Sequence, residues 1–517
     1  MRDQRNQRDQ KNQKSQKDLK NRNKQTNRKL SAKGSMGMKD SGEWKADLIP
    51  LGICLLFYLI FPLLDGPVWC ADSPSYATMN ITREPLYPTF LWIFRSVFGE
   101  EAYRMPVVLF QSVLAGYASW KLGMTVKEMT GGNRLLGLCA IGFQLFVTFL
   151  CRFVANRGSA YTDSIMTEGL GLSLYLLFVL QLYRYMYRDR VRHLAAASVL
   201  AVLLVNLRKQ MMVSLCLMAA VFILYHLVKR QHMQRLLYLL GLTVSLLLIS
   251  KLTDRFYNYQ VRDAWIEHSG NSMGMLCNLL YTSDPEDAEL FQDPVRKELF
   301  LQIREEMESQ QLAMSYAPKD WEGLTTHYAD SYDAIGYGIL NPVIQGYLRE
   351  QGQLTEVEEA QQYDALCEEM TASLLKQEKK DLFIVLGGNT LKGFVNSVAR
   401  MHPLLNPAAL FVYVLYLVLY LVLLLTGKKW QLPDRILTFA EIVLGGIVIN
   451  CLVVGVMIFC QPRYMIYSMG LFYSALLVMG YELVRIGRSA KKESVMEHEK
   501  RKTPQRRRTA GPARNSR

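Results

Sequence analysis

DLIPLGICLLFYLIFPLLDGPVWCADSPSYATMNITREPLYPTFL, residues 47–91, joins an apolar run, 47–64, to a passage that carries two acids, an arginine and three prolines between residues 72 and 91. A hydrocarbon core about 30 Å thick takes roughly 20 apolar helical residues to cross. The run therefore reads as a transmembrane helix and the polar passage as the loop beyond it. The pattern recurs. Half of the 517 residues are apolar, and they gather in ten segments: 47–64, 105–122, 134–151, 166–183, 193–207, 211–228, 234–251, 405–426, 436–460 and 464–484. The fold class is all-α integral membrane, with about ten transmembrane helices and a mixed, mainly helical extracytoplasmic insertion between the seventh and eighth.

The formal charge of +14 sits in the tails. Lys and Arg outnumber Asp and Glu 14 to five over residues 1–45 and 12 to three over 485–517, and the remainder is slightly acidic. Basic stretches abutting membrane helices mark the cytoplasmic side and bind anionic lipid, so they speak for orientation and lipid contact and against nucleic acid. The first tail is too polar and too long to be a secretory signal. With the amino terminus cytoplasmic, the connections 121–134, 184–193, 229–235 and 427–435 fall on that side, each with at least two Lys or Arg. Both termini are then cytoplasmic, in a plasma membrane, with a bacterial source expected. Nine cysteines without a CxxC pair support neither a zinc site nor a disulfide framework.

These assignments divide the chain into a disordered basic tail (1–45), a seven-helix catalytic module (46–251) with its first outer loop at 65–104, an insertion (252–403), a three-helix module (404–484) and a second disordered basic tail (485–517). Within the insertion, 381–403 is a poor span because of Lys392 and its Gly and Asn residues, and reads as an interfacial or re-entrant helix. In the first loop, prolines make turns and LWIFRSVFG suits a helix in the headgroup layer.

The chemistry-bearing residues cluster in the outer loops. A carboxylate at Asp72, at the mouth of a helix bundle, can act as general base on an acceptor hydroxyl or amine; its structural alternative is a helix cap, with Ser73 and Ser75 solvated. Arg83, Arg208, Lys209 and Arg463 are cations on the side where the positive-inside bias disfavours them, and arginine grips phosphate bidentately. For Arg208 and Lys209 the alternative is lipid-headgroup contact. Glu168, inside an apolar segment, should face a polar cavity or pair with Arg83 or Arg157. Asp163 stands about 140° from it around a helix. His268, His327 and His402 read as surface residues, and Asn80-Ile81-Thr82 fits a glycosylation sequon.

Three motifs carry a resemblance: D-S-x-x-Y (residues 72–76) with R-x-P-L-Y-P (83–88), TDSIMTEGLGLSLYLL (162–177) and CQPRYMIYSMG (460–470). Together they resemble the outer loops and helix entries of GT-C glycosyltransferases of the protein mannosyltransferase and aminoarabinose transferase type, which use polyprenyl-phosphate sugars. The resemblance implies an inverting transfer on the outer face with Asp72 as base. With it, Tyr76, Arg83, Glu84, Asp163 and Glu168 are expected to position the loop or acceptor and Arg463 and Tyr464 to meet the donor phosphate, which Arg208 and Lys209 join on the strength of their outer-side charge. Many relatives carry two adjacent acids where this chain has Asp72-Ser73, which leaves a divalent cation open. Expected partners are a polyprenyl-phosphate-linked sugar, membrane lipids and an acceptor that is lipid, glycan or protein. The alternative is a lipid or sugar transporter or flippase, which should show internal repeats; seven helices, an insertion and three more do not.

Overall fold

The computed structural model describes residues 41–153, 158–229, 233–377, 379–399, 404, 406–430 and 434–502. Residues 1–40 of the first tail, 503–517 of the second, Arg157 and His402 lie outside the described residues. Contacts divide the chain into two compact units, Met1–Ile53 and Cys54–Arg517. The described part of the first is the start of one helix, and the site lies wholly in the second.

In chain order the helices are α1 (Ser41–Asp65), α2 (Ser73–Ala77), α3 (Leu86–Phe98), α4 (Arg104–Met129), α5 (Arg134–Cys151), α6 (Thr167–Arg188), α7 (Val191–Leu207), α8 (Val213–Lys229) and α9 (Met233–Arg262). The insertion supplies α10 (Met273–Thr282), α11 (Pro294–Ser309), α12 (Trp321–Asp333), α13 (Asn341–Glu350) and α14 (Glu356–Leu374). Then come α15 (Lys380–Val398), α16 (Asn406–Trp430), α17 (Asp434–Met457), α18 (Pro462–Met465) and α19 (Met469–Lys502).

Every apolar segment expected from the sequence is a helix. Among the described residues eight helices are long and apolar enough to cross a membrane, two fewer than the ten expected spans. The other two segments fail for physical reasons. Helix α7 has only 17 residues, and α4 spends much of its length on Gln111, Ser112, Ser119 and Thr125, all buried against neighbouring helices. Where α4 meets α5 the backbones touch: a Cβ on Gly123 would lie 2.8 Å from the Gly137 carbonyl oxygen, and one on Gly137 equally close to that of Gly123. Small residues at such a crossing let two helices approach to backbone contact in an apolar medium.

Three boundaries differ from expectation. Helix α9 continues to Arg262, where its polar residues find partners: Asp254 accepts from the His268 N–H at 3.0 Å and Asn258 Oδ1 accepts from Arg262 Nη1 at 3.0 Å, while Leu252, Phe256 and Tyr259 stay exposed. Helix α19 runs past residue 484 to Lys502, through a stretch with no proline before residue 504 and with oppositely charged residues spaced to support a helix. The insertion is not mixed; its described residues form helices without a strand.

The insertion has its own core, in which Leu276, Cys277, Phe300, Ile303, Met307 and Cys367 are fully enclosed. Its helix starts are capped, by Asp293 to the Arg296 N–H (3.0 Å), by Asp320 to the Gly323 N–H (2.8 Å) and by a Thr355–Glu358 capping box. It is tied to α17 by Asn278 Nδ2 to the Val456 carbonyl (2.8 Å) and Tyr332 Oη to that of Met457 (3.1 Å). Helix α15 explains its own polar residues: Asn389 Nδ2 reaches the Gly455 and Ile458 carbonyls at 2.9 Å, and Asn396 that of Cys460 at 2.6 Å. Its Lys392 is buried and donates to Thr325 and Thr326 at 3.2 and 3.3 Å.

Candidate active site

The loops after α1, before α6, between α7 and α8, and after α17 meet at one end of the helices. Loop one is fastened to the loop before α6: the Val68 N–H donates to the Asp163 carbonyl (2.8 Å) and the Ile165 N–H to that of Val68 (3.0 Å). Ser73, fully buried, receives the Cys70 N–H at 2.8 Å and donates to the Ile165 carbonyl at 2.8 Å. The residue that stands where an adjacent acid was expected is therefore a structural hydroxyl, not a solvated serine.

The Y-P of R-x-P-L-Y-P anchors the same joint. Tyr87 Oη donates to Gln111 Oε1 (2.9 Å), and Gln111 Nε2 donates to the carbonyls of Thr162 (3.0 Å) and Ser164 (2.9 Å). The first turn of α6 must carry glycine here, because a Cβ on Gly169 would fall 2.4 Å from that amide nitrogen. Helix α3 buries Tyr87, Pro88 and Leu91 and exposes Trp92, Ile93, Val97 and Phe98, the outward apolar side an interfacial helix needs.

Asp72 occupies the N-cap position of α2 but makes no capping bond. Its oxygens turn to two arginines: Arg83 Nη2 donates to Oδ1 at 2.9 Å and Arg463 Nη1 to Oδ2 at 3.2 Å. Burial alone would raise the Asp72 carboxyl; the charges of Arg83 and Arg463 outweigh it and hold the group below its ordinary value. Arg83 is itself aimed by Ser75 Oγ (2.8 Å) and by the Tyr76 ring, over which its guanidinium lies at 4.6 Å.

Arg463 and Arg208 face one aromatic ring. Their guanidinium carbons lie 4.8 and 4.4 Å from the centroid of Tyr464, and Arg463 Nη2 donates to the Tyr464 hydroxyl at 2.7 Å. The ring is fixed from behind, since Gln210 Nε2 (2.8 Å) and Asn450 Nδ2 (2.9 Å) both donate to the Tyr464 carbonyl. Arg208 donates to the carboxylate of Glu168, which is wholly buried and also accepts from Thr167 Oγ1 at 3.2 Å. The partner of Glu168 is thus Arg208, not Arg83. Arg463 Nε is buried with no hydrogen-bond partner among the described residues. Three guanidiniums against two carboxylates, one N–H unspent, make a site disposed to take an anion.

Other expected residues lie beside this centre. Glu84 accepts the Lys209 backbone N–H, and the Lys209 side chain is exposed, so what Lys209 brings to the joint is its main chain. Asp163 is turned away from the arginines: Oδ1 accepts from Ser159 Oγ (2.7 Å) and the Ala160 N–H (2.9 Å). Burial raises its carboxyl. It shapes its loop. His268 is half-buried, not a surface residue; its Nδ1 lies 2.6 Å from Asp254 and its Nε2 4.0 Å from Glu84. Burial alone would lower His268, but the Asp254 bond and the Glu84 charge outweigh it and raise the group. His327 is likewise half-buried, 2.9 Å from the Tyr281 hydroxyl. The Asn80 amide oxygen is engaged locally by the Thr82 N–H (3.0 Å) and hydroxyl (2.7 Å).

Two residues of the insertion belong to the site and carried no motif. Asp333 lies within electrostatic reach of Arg463 and Asp72, and burial raises its carboxyl while Arg463 opposes. Tyr337 follows on a π-helical stretch, Ala334–Leu340, a distortion that often marks functional sites. Asp333 ends α12 and Tyr337 lies within the stretch that follows it. A divalent cation does not fit the donors around Asp72, which are guanidiniums. Among the described residues no group of three or more His, Cys, Asp or Glu is set to hold a metal.

Two cavities adjoin the centre. One, about 330 Å³, lies between the first loop and the insertion with Arg83 and Ser75 in its wall. The other, about 480 Å³ and mainly apolar, runs among α5, α15 and α19 past Val147, Leu150, Val398 and Met469 to Pro462, next to Arg463.

No protein-family model and no curated protein matches the sequence. Among solved structures the chain is similar to the archaeal oligosaccharyltransferase AglB from Archaeoglobus fulgidus, in complex with an inhibitory peptide and a dolichol-phosphate (12% identity, TM-score 0.39). That match covers 88% of this chain and 52% of the other, so the chain spans about half the length of the archaeal protein. It is also similar to ArnT from Cupriavidus metallidurans bound to undecaprenyl phosphate (14% identity, 90% and 82% covered, TM-score 0.29) and in the apo state (13%, 85% and 77%, TM-score 0.29).

Proposed function

We propose that the chain is a GT-C-type membrane glycosyltransferase that moves a sugar from a polyprenyl phosphate to an acceptor on the outer face of the membrane. The observation that carries this reading is the pair of arginines on the Tyr464 ring, one of them also bridging to Asp72. It joins a cationic phosphate cradle to a carboxylate base within one hydrogen-bonded cluster. The apolar cavity ending at Pro462 suits the polyprenyl tail.

In the reaction the donor phosphate displaces Asp72 from Arg463 and is held between Arg463 and Arg208. One Asp72 oxygen, relieved of a guanidinium, becomes a better proton acceptor. The acceptor hydroxyl attacks the anomeric carbon and its proton passes to Asp72. The bond from that carbon to the phosphate oxygen breaks, and the electron pair leaves on the phosphate, whose growing charge the arginines offset. Donor loading and base activation are thereby linked, so that the base is strongest when a leaving group is in place.

Binding of undecaprenyl phosphate to purified protein in nanodiscs, followed by native mass spectrometry, tests the cradle. Arg463→Lys keeps a charge but not the fork that spans Asp72 and Tyr464, and should weaken binding about tenfold; Arg463→Ala should weaken it further. Affinities within twofold of wild type for both variants would remove Arg463 from the donor site.

A further inference from the structure

We propose that the 330 Å³ cavity between the first loop and the insertion is the acceptor subsite and that the acceptor presents a saccharide unit to it, an inference that rests on the glycosyltransferase reading above. The volume is at the low end for small-molecule sites. Its inner wall contains Ser75 and Arg83, whose side chains bond each other while Arg83 also holds Asp72. A group seated there therefore lies against the residue that grips the base.

The walls are chemically specific. Part is a fixed frame: Glu356 accepts the Ile81 N–H at 3.3 Å and pairs with Arg262 at 3.3 Å. Asp364 pins the rim through Ser269 Oγ (2.7 Å) and the N–H groups of Gly270 (2.7 Å) and Ser272 (2.8 Å). Tyr363 donates to Asn341, which locks its ring. Against this frame the side chains of Asn271, Gln345 and Glu359 line the cavity with no hydrogen-bond partner among the described residues, and Tyr337, 58% exposed, offers an open aromatic face. Amides and a carboxylate that can each bind two hydroxyls, beside a phenol ring for the C–H face of a sugar, are complementary to a pyranose. A fatty-acyl chain would leave those polar groups unpaired at a cost, and a peptide added as a strand would find no sheet edge among the described residues of the insertion.

Two variants fill the cavity from two separate segments of its lining, Gln345→Trp and Asn271→Trp. The full-length protein in lipid nanodiscs is given a pool of undecaprenyl- and dolichyl-phosphate hexoses and pentoses, with and without an envelope glycan extract as acceptor, and two rates are read: transfer to glycan, and water-driven release of polyprenyl phosphate. Water needs no cavity. Transfer should fall at least about 50-fold in both variants while release without acceptor stays within twofold of wild type. Transfer within twofold of wild type, or equal loss of both rates in both variants, would overturn the assignment. Saturation-transfer NMR with neutral, amino and acidic hexose disaccharides should give signals with wild type that Gln345→Trp abolishes; a panel giving none overturns the saccharide class. If wild type releases no polyprenyl phosphate under any condition, the glycosyltransferase reading fails, and the NMR result still decides what the cavity takes.

Discussion

Glu168 and Arg208 form an ion pair in which the carboxylate is wholly buried and the guanidinium side chain 17% exposed. Replacing Glu168 by Gln removes the charge attraction, about 4 kcal/mol for unit charges some 4 Å apart at an effective dielectric of 20. The amide still accepts a bond from the guanidinium, and hydrogen bonds to charged groups contribute about 1.5–3 kcal/mol. The net cost should be about 2 kcal/mol. Arg208→Gln is worse, because it strands a buried carboxylate with Thr167 alone, and breaking such a pair from one side costs about 3–5 kcal/mol. The double variant strands nothing and should lose about 2 kcal/mol, mostly the stacking of the guanidinium on Tyr464 and its packing. The coupling energy is then about 3–5 kcal/mol in favour of the pair. Unfolding in mixed micelles titrated with SDS, run on wild type, both single variants and the double, measures it. Undecaprenyl phosphate binding on the same four proteins separates the roles: Glu168→Gln should keep it and Arg208→Gln should lose it. Effects that add within 0.5 kcal/mol would refute the coupling of Glu168 to Arg208, and donor binding that depends on Glu168 as strongly as on Arg208 would refute the claim that the amide at 168 is enough to hold the guanidinium in place.

Three further outcomes are expected. The elevated His268 contributes stability that is full below its unfolded value, about 6.5, and is lost as pH rises through the higher folded value; His268→Gln should therefore lower the melting temperature at pH 5.5 and hardly change it at pH 9, and a pH-independent loss would contradict this. Ser73→Asp places a carboxylate where a hydroxyl is fully enclosed and should prevent folding, judged by loss of the monodisperse peak on size exclusion, whereas a well-folded variant that gains metal-dependent activity would show that the position tolerates the adjacent acid. Cysteines introduced at the exposed Gln302 and at residue 430 should be labelled from outside and from inside the cell respectively, and the reverse pattern would place the site on the wrong face.

The sequence showed where helices lie because apolar length is a local property: 134–151 matches α5 at both ends. It was less informative about which helices are lipid-facing. Helix α4 buries Gln111 and Ser112 against neighbours that no window along the chain contains. Of the site, the members of the three motifs were readable individually, and Asp72, Arg83, Glu168, Arg208, Arg463 and Tyr464 do converge. Their pairing was not readable, because which arginine meets which carboxylate depends on how α6, α7 and α18 pack. Asp333 and Tyr337 were invisible for the same reason, since nothing in their spacing from Asp72 signals that the insertion folds back to the first loop.

The central claim is that one centre breaks a glycosidic phosphate bond with Asp72 as base and Arg463 on the leaving group. The most direct measurement is the stoichiometry of purified wild type, Asp72→Asn and Arg463→Ala given polyprenyl-phosphate sugar and acceptor, with free polyprenyl phosphate and glycosylated product quantified together by mass spectrometry. The account predicts equimolar appearance of the two with wild type and a fall of about 10²–10⁴ in both with Asp72→Asn, with undecaprenyl phosphate bound at least as tightly because Arg463 no longer has to release a carboxylate, and a comparable fall with Arg463→Ala accompanied by weakened binding. Movement of the intact lipid-linked sugar between leaflets, with no polyprenyl phosphate released and no dependence on Asp72, would contradict it and identify a flippase instead.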